Sequence, residues 1–166
     1  PDRKMVAITL GANRAPIDAV RAIQNASSGS TGWTIAQYLH RMGHTVICVA
    51  GKTSVAPEFE LPDVRRAGSP NEMLATSLEL ASSETKPDAW IHSAAVLDYF
   101  TEPLKEKKAS GDDSWDISLS GGPKHIAELA PFVKGARRIG FKLETDVSVE
   151  VLIDRAMQLI ERHDVD

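Results

Sequence analysis

The 166-residue sequence contains a single cysteine, Cys48, so an intrachain disulfide is excluded. Cys48 lies in an apolar run, where a free thiol most often packs as a small hydrophobic side chain, and this usage fits the reducing cytoplasm. No apolar run approaches transmembrane length, so no membrane association is expected, and residues 1–4 lack a signal-peptide core. A formal net charge of −4 provides no overall positive field for binding nucleic acid.

Three fingerprints of common nucleotide sites are also missing. Neither the Walker sequence Gly-x-x-x-x-Gly-Lys-Ser/Thr nor a Tyr-x-x-x-Lys dyad occurs. The short Gly-x-Gly-x-x-Gly turn of a nicotinamide-binding fold is replaced by a long loop with a different glycine spacing. The second apolar run ends at Gly51-Lys52, without the carboxylate that would bind a ribose. An NAD(P)-binding Rossmann oxidoreductase is therefore kept only as an alternative.

Strand-like and helix-like segments alternate along the chain. Apolar runs predict strands over residues 5–10, 45–50, 64–67, 88–95, 115–119 and 138–142. Helical spacing predicts helices around residues 33–42, after Ser69 with a capping box to Glu72, after Pro123, and from Ser148 with Val151, Leu152, Ala156, Leu159 and Ile160 on one face. The charged segment 98–113 is expected to be a mobile loop. The alternation predicts one α/β domain over residues 1–166, a three-layer Rossmann-like, mostly parallel sheet with helices on both faces.

The longest connection, residues 11–32, joins the first strand to the first helix. A compact domain seldom keeps so long a connection unless it binds something. Polar side chains and glycines crowd the predicted helix start: Asn25, Ser27, Ser28, Gly29, Ser30, Thr31 and Gly32. Free N–H groups and the positive end of the helix dipole attract phosphate, whereas an ordinary N-cap needs only one such residue. The loop therefore predicts a phosphate site at the carboxyl end of the first strand, where such sheets bind ligands.

Four segments carry a resemblance to a known family. They are Gly11 to Arg21 followed by Asn25-Ala26-Ser27-Ser28-Gly29, then Ala94-Ala95-Val96-Leu97-Asp98-Tyr99, Lys105-Glu106-Lys107-Lys108 and Gly140-Phe141-Lys142-Leu143-Glu144-Thr145. In this order they resemble the motifs of phosphopantothenoylcysteine synthetases, and the resemblance covers nearly the whole chain. Members of that family continue past a segment like residues 163–166 into a final strand and a dimerisation region, so a homodimer is expected of the full-length form.

The resemblance implies a nucleoside-triphosphate-dependent ligase of coenzyme A biosynthesis. Its substrates would be 4′-phosphopantothenate and L-cysteine, with CTP or ATP as co-substrate, and the reaction would pass through an acyl nucleotidylate. Mg²⁺ would be held mainly by the triphosphate oxygens, and no protein metal site is expected because the five histidines show no metal-ligand spacing. A non-catalytic nucleotide-binding subunit of a synthetase complex is the other alternative.

The resemblance also implies roles for individual residues. Asn25 would hold the acyl nucleotidylate, and Lys105 would close over the triphosphate as the second catalytic residue. Substrate is expected to contact Asn25, Arg14 and Arg21, although an ion pair with Asp18 explains Arg21 equally well. The expected nucleotide contacts are Gly11, Ser27, Ser28, Gly29, Ala94, Ala95, Asp98, Lys107, Lys108, Phe141 and Lys142. Without the resemblance, residues 105–108 would be interpreted as a solvated charge run.

Overall fold

The structure, a computed structural model, describes residues 2–166. In chain order its elements are β1 (Met5–Leu10), β2 (Arg14–Pro16), β3 (Ala22–Gln24), α1 (Ser30–Arg41), β4 (Thr45–Ala50), β5 (Asp63–Arg66), α2 (Pro70–Ala81), β6 (Ala89–His92), β7 (Tyr99–Phe100), β8 (Ser120–Gly121), α3 (His125–Leu129), β9 (Arg137–Gly140) and α4 (Val149–His163). A 3₁₀ turn, Ala130–Phe132, extends α3. Among residues 2–166, no helix combines the length and the apolar character needed to cross a bilayer.

Five strands form one parallel sheet in the order β5-β4-β1-β6-β9. The chain winds from β1 outward through β4 to β5. It then returns to the other side of β1 and continues outward from β6 to β9. The point of reversal therefore lies between β1 and β6, where open α/β sheets leave a crevice at the carboxyl ends of their strands. The predicted α/β class with a mostly parallel sheet is confirmed.

Alternate residues of each strand point to opposite faces of the sheet, so two core layers result. The layer under α1 includes Ile8, Leu10, Trp33, Ala36 and Cys48. The layer under α2 and α3 includes Ala7, Ile47, Leu80, Trp90 and Leu129. Cys48 is fully buried, and burial raises the pKa of its thiol to about 12, as expected for a side chain that serves as a small hydrophobic group. The sheet is thus covered by helices on both faces.

Two predicted helix starts are confirmed in atomic detail. At α2, the Ser69 hydroxyl accepts a hydrogen bond from the Glu72 N–H at 3.2 Å, and the Ser69 N–H donates to the Glu72 carboxylate at 2.9 Å. At α4, the Ser148 hydroxyl accepts from the Val151 N–H at 3.4 Å. The predicted apolar face of α4 is only half-buried, and Val151 itself is 41% exposed.

The fourth predicted strand is shorter than the apolar run 88–95. β6 ends at His92, but the chain beyond it still follows β1, and the Ser93 N–H donates to the Thr9 carbonyl at 3.0 Å. The Ala95 N–H donates to the Gly11 carbonyl at 2.8 Å. The carbonyls of Ala95 and Val96 accept from Nδ2 of Asn25 at 3.2 and 3.1 Å. Similarly, β9 ends at Gly140, so the last two residues of the run 138–142 lie beyond the sheet.

Two further predictions about the loops are wrong in detail. The long connection 11–32 contains the antiparallel hairpin β2–β3. The predicted strand at 115–119 is absent, and β8 follows it to pair with β7. The guanidinium carbon of Arg21 lies 5.4 Å from the centroid of the Trp115 ring. Leu119 is 44% exposed. Within the segment 115–119, Trp115 therefore packs against the hairpin, while Ile117 and Leu119 are exposed.

The lysine-rich segment 105–108, part of the loop 98–113 that the sequence predicts to be mobile, is hydrogen-bonded to the β2–β3 hairpin at both ends. The Leu104 N–H donates to the Ile17 carbonyl at 2.9 Å, and the Lys108 N–H donates to the Asp18 carboxylate at 3.1 Å. Burial would raise the pKa of Asp18, but N–H donors of Val20, Lys108 and Arg21, with the Arg21 guanidinium, hold it well below its usual range. Residues 105–107 thus form a short arch between two anchors.

A buried guanidinium connects α3 and α4 to the edge strand. Arg138 of β9 is 4% exposed. Its side chain donates to the carbonyls of His163 at 2.6 Å and Asp164 at 3.0 Å, at the C-terminal end of α4, and to the carbonyl of Ile126 in α3. Its backbone N–H donates to the Asp166 carboxylate at 2.9 Å. A cation is favourable at the negative end of a helix dipole, so Arg138 fixes one wall of the crevice.

Replacing Arg138 with Met is expected to lower the free energy of unfolding by about 3 kcal/mol, because three backbone carbonyls lose a charged donor in a buried setting. Urea unfolding followed by circular dichroism measures this loss. Arg137→Met is the matched control, since the Arg137 side chain is 76% exposed, and its effect should stay within about 0.5 kcal/mol. Equal effects of the two substitutions would contradict the anchoring role.

Replacing Asp18 with Asn is expected to release the arch and to lower stability at neutral pH. Because the pKa of Asp18 is lowered in the folded state, its contribution is fully present above the unfolded value of about 3.9 and is lost as the pH falls through the folded pKa. The stability difference between wild type and D18N should therefore narrow below about pH 4, measured by urea unfolding across pH.

Trypsin provides a second measurement on the same variant. Cleavage within residues 105–108 should be faster in D18N than in wild type. Asp112→Asn is the control, because Asp112 pairs only with the Lys108 ammonium group and is 64% exposed. Unchanged cleavage in D18N would show that Asp18 does not hold the arch.

Candidate functional site

A cavity of about 580 Å³ opens at the carboxyl ends of β1 and β6, where the chain reverses direction across the sheet. This volume lies within the range of small-molecule sites, roughly 300 to 1,000 Å³. Its walls come from the start of α1, from the chain after β6, from α3 and from the chain after β9. The lining residues are 25–32, 92–96, 123–126 and 140–143, together with Thr9, Asp98, Leu159 and His163.

The start of α1 forms the electropositive wall. Gly29 is the N-cap and makes no side-chain capping bond, and the first turn carries no acidic side chain. The Ser28 hydroxyl accepts only from the Ser30 N–H, at 3.2 Å. The positive end of the dipole therefore faces the cavity without a fixed negative charge, which favours an anion there.

The tight geometry of this wall comes from two glycines. Gly29 has φ +82°, and a Cβ on it would lie 2.4 Å from Cγ2 of Thr53 and 3.5 Å from Cα of Gly11. Gly11 has φ +77° and would place a Cβ 2.8 Å from the Lys52 carbonyl oxygen. Gly11 therefore packs against Lys52 and Thr53 behind the wall, and the structure does not place it in the cavity lining.

Asn25 connects the wall at α1 to the chain after β6. Its amide nitrogen donates to the carbonyls of Ala95 and Val96, which line the same cavity. Both amide protons are therefore engaged with backbone carbonyls. The amide oxygen takes no part in these two hydrogen bonds. In this arrangement Asn25 fixes the position of the Ala94–Val96 backbone relative to the loop that precedes α1.

Two ion pairs and an aromatic ring lie at the mouth. Asp98 pairs with Lys124, and both side chains are about half-exposed. Lys142 pairs with Glu144 at 2.8 Å, and this hydrogen bond holds the pKa of Glu144 below its usual value; burial opposes the effect, and the charge of Arg155 adds to it. Phe141 is 52% exposed and lines the cavity.

Two largely buried histidines, His92 and His125, are among the residues that line the cavity. His125 is 7% exposed, and within residues 2–166 neither of its ring nitrogens makes a hydrogen bond of good geometry. Nε2 of His92 is buried and likewise unpaired there. Burial, followed by the charges of Arg138 and His125, lowers the pKa of His92 to about 4. Burial also lowers the pKa of His125, an effect partly offset by the Pro70 carbonyl. Both imidazoles are therefore neutral near pH 7.

The structure brings some of the predicted site residues together and separates others. Lining the cavity are Asn25, Ser27, Ser28, Gly29, Ala94, Ala95, Asp98, Phe141 and Lys142. Outside the lining are Gly11, Arg14, Arg21, Lys105, Lys107 and Lys108. The functional roles assigned to both groups stay predictions.

Several of the predicted site residues outside the cavity lining belong to the β2–β3 hairpin or to the arch beside it. Arg21 pairs with Asp18 and covers Trp115, so the ion pair that competed with a phosphate contact is the arrangement observed. Lys108 pairs with Asp112, while Lys105 is exposed on the arch. Arg14 is exposed on β2.

Sequence reasoning did not identify His92, His125 or Lys124 as site residues. A signal existed for His92, because it lies in the carboxyl half of the predicted strand 88–95, and such sheets bind ligands at the carboxyl ends of their strands. His125 and Lys124 reach the cavity only through the position of α3, which no local pattern reveals. Within residues 2–166, no cluster of three or more His, Cys, Asp or Glu side chains is arranged to hold a metal ion.

The family model described as "DNA/pantothenate metabolism flavoprotein C-terminal domain" matches residues 2–166. The coenzyme A biosynthesis bifunctional protein CoaBC of Thermococcus kodakarensis is 34% identical over 162 residues, covering 96% of this chain and 39% of that protein. The protein of the same name from Vibrio vulnificus is 31% identical over 159 residues, covering 93% of this chain and 38% of that protein. The chain thus spans about two fifths of the length of these relatives.

Solved structures agree with this match. The DNA/pantothenate metabolism flavoprotein of Streptococcus pneumoniae superposes with a TM-score of 0.88 at 25% identity, covering 98% of this chain and 80% of that one. The C-terminal domain of a coenzyme A biosynthesis bifunctional protein CoaBC gives a TM-score of 0.80 at 27% identity, covering 98% and 74%. The sequence match over nearly the whole chain and the shared fold lead to one conclusion: this chain belongs to the DNA/pantothenate metabolism flavoprotein C-terminal domain family.

Proposed function

We propose that this domain carries the ligase activity of a coenzyme A biosynthesis protein and joins 4′-phosphopantothenate to L-cysteine at the expense of a nucleoside triphosphate. The relatives named coenzyme A biosynthesis bifunctional protein CoaBC align with nearly the whole of this chain, which belongs to the matching family. One observation carries the proposal. A single cavity collects the uncapped start of α1, Asn25, the backbone after β6 and the Phe141-Lys142 pair, and these come from three of the four segments that resemble synthetase motifs.

The reaction must activate a carboxylate, which is a poor electrophile. In the first step a carboxylate oxygen of 4′-phosphopantothenate attacks the α-phosphorus of the nucleotide, the bond to pyrophosphate breaks, and an acyl nucleotidylate forms. Both partners are anionic, so the site must supply fixed positive potential. The N–H groups and dipole at the start of α1 would supply it, since Lys124 and Lys142 at the mouth already pair with Asp98 and Glu144.

In the second step the amine of cysteine attacks the acyl carbon, the bond to the phosphoryl oxygen breaks, and the nucleoside monophosphate leaves as the amine loses a proton. Asn25 would hold the acyl nucleotidylate through its amide oxygen, which can accept from a hydroxyl or amide N–H of the intermediate, since the amide nitrogen already donates to the Ala95 and Val96 carbonyls. Mg²⁺ bound to the triphosphate would neutralise part of its charge. Among residues 2–166, Asp98 is the acidic side chain that lines the cavity, and the Lys124 ammonium group pairs with it. The cavity lining therefore offers few ligands of its own to Mg²⁺, which fits an ion held mainly by the nucleotide.

Lys105 would neutralise the pyrophosphate as it leaves. The arch between Leu104 and Lys108 carries Lys105 outside the cavity lining, and its two anchors limit how far it moves. Closure over the triphosphate therefore requires the side chain to extend from the arch, or the Asp18 contact to open.

No observation favours either alternative. The chain after β4 continues as Gly51-Lys52, and the Lys52 backbone pairs with Ala12, so no carboxylate lies where a nicotinamide-binding fold binds the ribose. A non-catalytic nucleotide-binding subunit would bind nucleotide but show no turnover.

The direct test is pyrophosphate release with 4′-phosphopantothenate, L-cysteine and Mg²⁺, run separately with CTP and with ATP. Release that depends on phosphopantothenate is expected, and the faster reaction names the nucleotide. Nucleotide binding without such release from either triphosphate would contradict the ligase and favour the non-catalytic subunit.

Asn25→Ala is expected to abolish amide formation while nucleotide affinity stays within about tenfold, or about 1.4 kcal/mol. The reason is that the amide would act on the acyl intermediate rather than on the nucleotide alone. Turnover and nucleotide Kd are measured on the same preparation. If affinity falls and turnover at saturating nucleotide is normal, Asn25 only positions the Ala94–Val96 backbone.

Lys105→Gln is expected to lower the turnover number about tenfold or more while the Kd of the nucleotide changes less, because charge develops on the pyrophosphate as it leaves. Lys107→Gln, on the same exposed arch, is the matched control and should have the smaller effect. An unchanged turnover number in the Lys105 variant, with a loss in the Lys107 variant, would move the role to Lys107.

A further inference from the structure

Three charged side chains form a linked group beside the mouth of the cavity. Nζ of Lys142 lies 2.8 Å from Oε1 of Glu144, and a terminal guanidinium nitrogen of Arg155 lies 2.5 Å from Oε2 of the same carboxylate. Lys142 and Glu144 belong to the loop between β9 and α4, whereas Arg155 lies in the middle of α4. Each cation therefore has its own carboxylate oxygen, and the two cations outnumber the one carboxylate.

The three side chains differ in their access to the cavity. Lys142 lines the cavity and its side chain is 37% exposed. Glu144 is 17% exposed and, like Arg155, lies outside the cavity lining. The hydrogen bond from Lys142, with the charge of Arg155, keeps the pKa of Glu144 below its usual value although burial opposes it, so the carboxylate is charged near neutral pH. Lys142 is thus the member of the group that an anion in the cavity can reach.

Arg155 allows Lys142 to change partners at little cost. An ion pair between partly exposed side chains contributes little to stability, because solvent competes for both charges. A phosphate that takes the Lys142 ammonium group would break one of the two pairs and leave the Glu144 carboxylate bound to Arg155. Glu144 would therefore stay paired, outside the cavity lining, while Lys142 binds the ligand.

The other ion pair at the mouth lacks this feature. Among residues 2–166, Asp98 has Lys124 as its one ion-pair partner, and both side chains are about half-exposed. Both also line the cavity, so a phosphate that drew Lys124 away would meet an unpaired carboxylate, and like charges repel. Lys142 is therefore the lysine at the mouth that can be released without exposing a phosphate to an unpaired acidic group.

We propose that Glu144 is a positioning residue, which holds the Lys142 ammonium group at the mouth and releases it to a phosphate group of a substrate, while Arg155 keeps the carboxylate paired. This inference rests on the proposed function, in which both the nucleoside triphosphate and 4′-phosphopantothenate carry phosphate. No covalent bond changes in the exchange. The start of α1 attracts anions through fixed backbone groups, and Lys142 adds a charge that is engaged when the ligand is bound.

The test uses variants with opposite expected effects. Dissociation constants are measured by calorimetry, with Mg²⁺, for inorganic tripolyphosphate, CTP, ATP and 4′-phosphopantothenate. Glu144→Gln frees Lys142 and should tighten phosphate binding about threefold, whereas Arg155→Met leaves Glu144 with Lys142 alone and should weaken it about threefold. Both effects should disappear when each substitution is combined with Lys142→Met, because the lysine through which they act is then absent.

Matched controls separate this exchange from the general effect of charge. Glu161→Gln and Arg162→Met each remove one charge from an exposed position of α4 outside the cavity lining. Their effects on the same dissociation constants should stay below about 1.5-fold, because solvent and salt screen distant charges. Arg155→Lys keeps a cation beside Glu144 and should restore most of the affinity that Arg155→Met loses. Thermal unfolding checks that each variant is folded, and if Glu144→Gln unfolds, the two Arg155 variants still test the exchange.

The ligands identify which phosphate binds Lys142. Effects on tripolyphosphate and the nucleotides assign Lys142 to the triphosphate, and effects confined to 4′-phosphopantothenate assign it to the phosphate of that substrate. Changes of the same sign in Glu144→Gln and Arg155→Met, changes that persist beside Lys142→Met, or unchanged affinities for every ligand would overturn the inference.

Failure of the proposed function would look different. Wild-type protein that binds these ligands but releases no pyrophosphate contradicts the ligase, and the opposite shifts in affinity are still measurable. Wild-type protein that binds none of the four ligands contradicts both the ligase and the role of Glu144.

Discussion

β1 pairs in parallel with β4 on one side and with β6 on the other, and every wall of the cavity depends on this arrangement. Because the chain leaves β1 towards one sheet edge and later returns to the opposite side, the loops after β1 and β6 must meet above the same strand ends. They do so through backbone pairing, since Ala12 bridges to Lys52 on one side and to Ala95 on the other. Backbone hydrogen bonds thus fix the shape of the crevice. Its charge and its hydrogen-bonding groups depend on the side chains that line it.

The sequence predicted those features whose causes are local. The apolar runs of β1 and β4 are buried strands of six residues each, and the Ser69–Glu72 capping box begins α2 as predicted. Strand ends were predicted less well because distant residues set them. Beyond the end of β6 at His92, the carbonyls of Ala95 and Val96 accept from Asn25, which lies 70 residues away in sequence from Ala95. No window of neighbouring residues contains that information.

Arg21 shows that contacts with distant residues also limit what the sequence predicts about the site. Its spacing from Asp18 allowed an ion pair, and its position in the long loop allowed a phosphate contact. The ion pair is favoured because the Asp18 carboxylate is buried and because two distant residues support it: the Lys108 N–H donates to Asp18, and Trp115 lies against the Arg21 guanidinium. Burial of Asp18 makes its charge costly unless it is paired. The ion pair is therefore required by the fold, and the anion-binding positive potential inside the cavity comes from α1 instead.

The walls of the cavity differ in where their polar groups come from. At the start of α1 the donors are backbone groups, which no side-chain substitution removes, so a preference for anions there is built into the fold. At the mouth the charges belong to side chains, with Asp98 paired to Lys124 and Lys142 paired to Glu144. A substitution at any of these four positions changes the local charge without changing the backbone that forms the crevice. The potential of the cavity is therefore fixed at the wall formed by α1 and adjustable at the mouth.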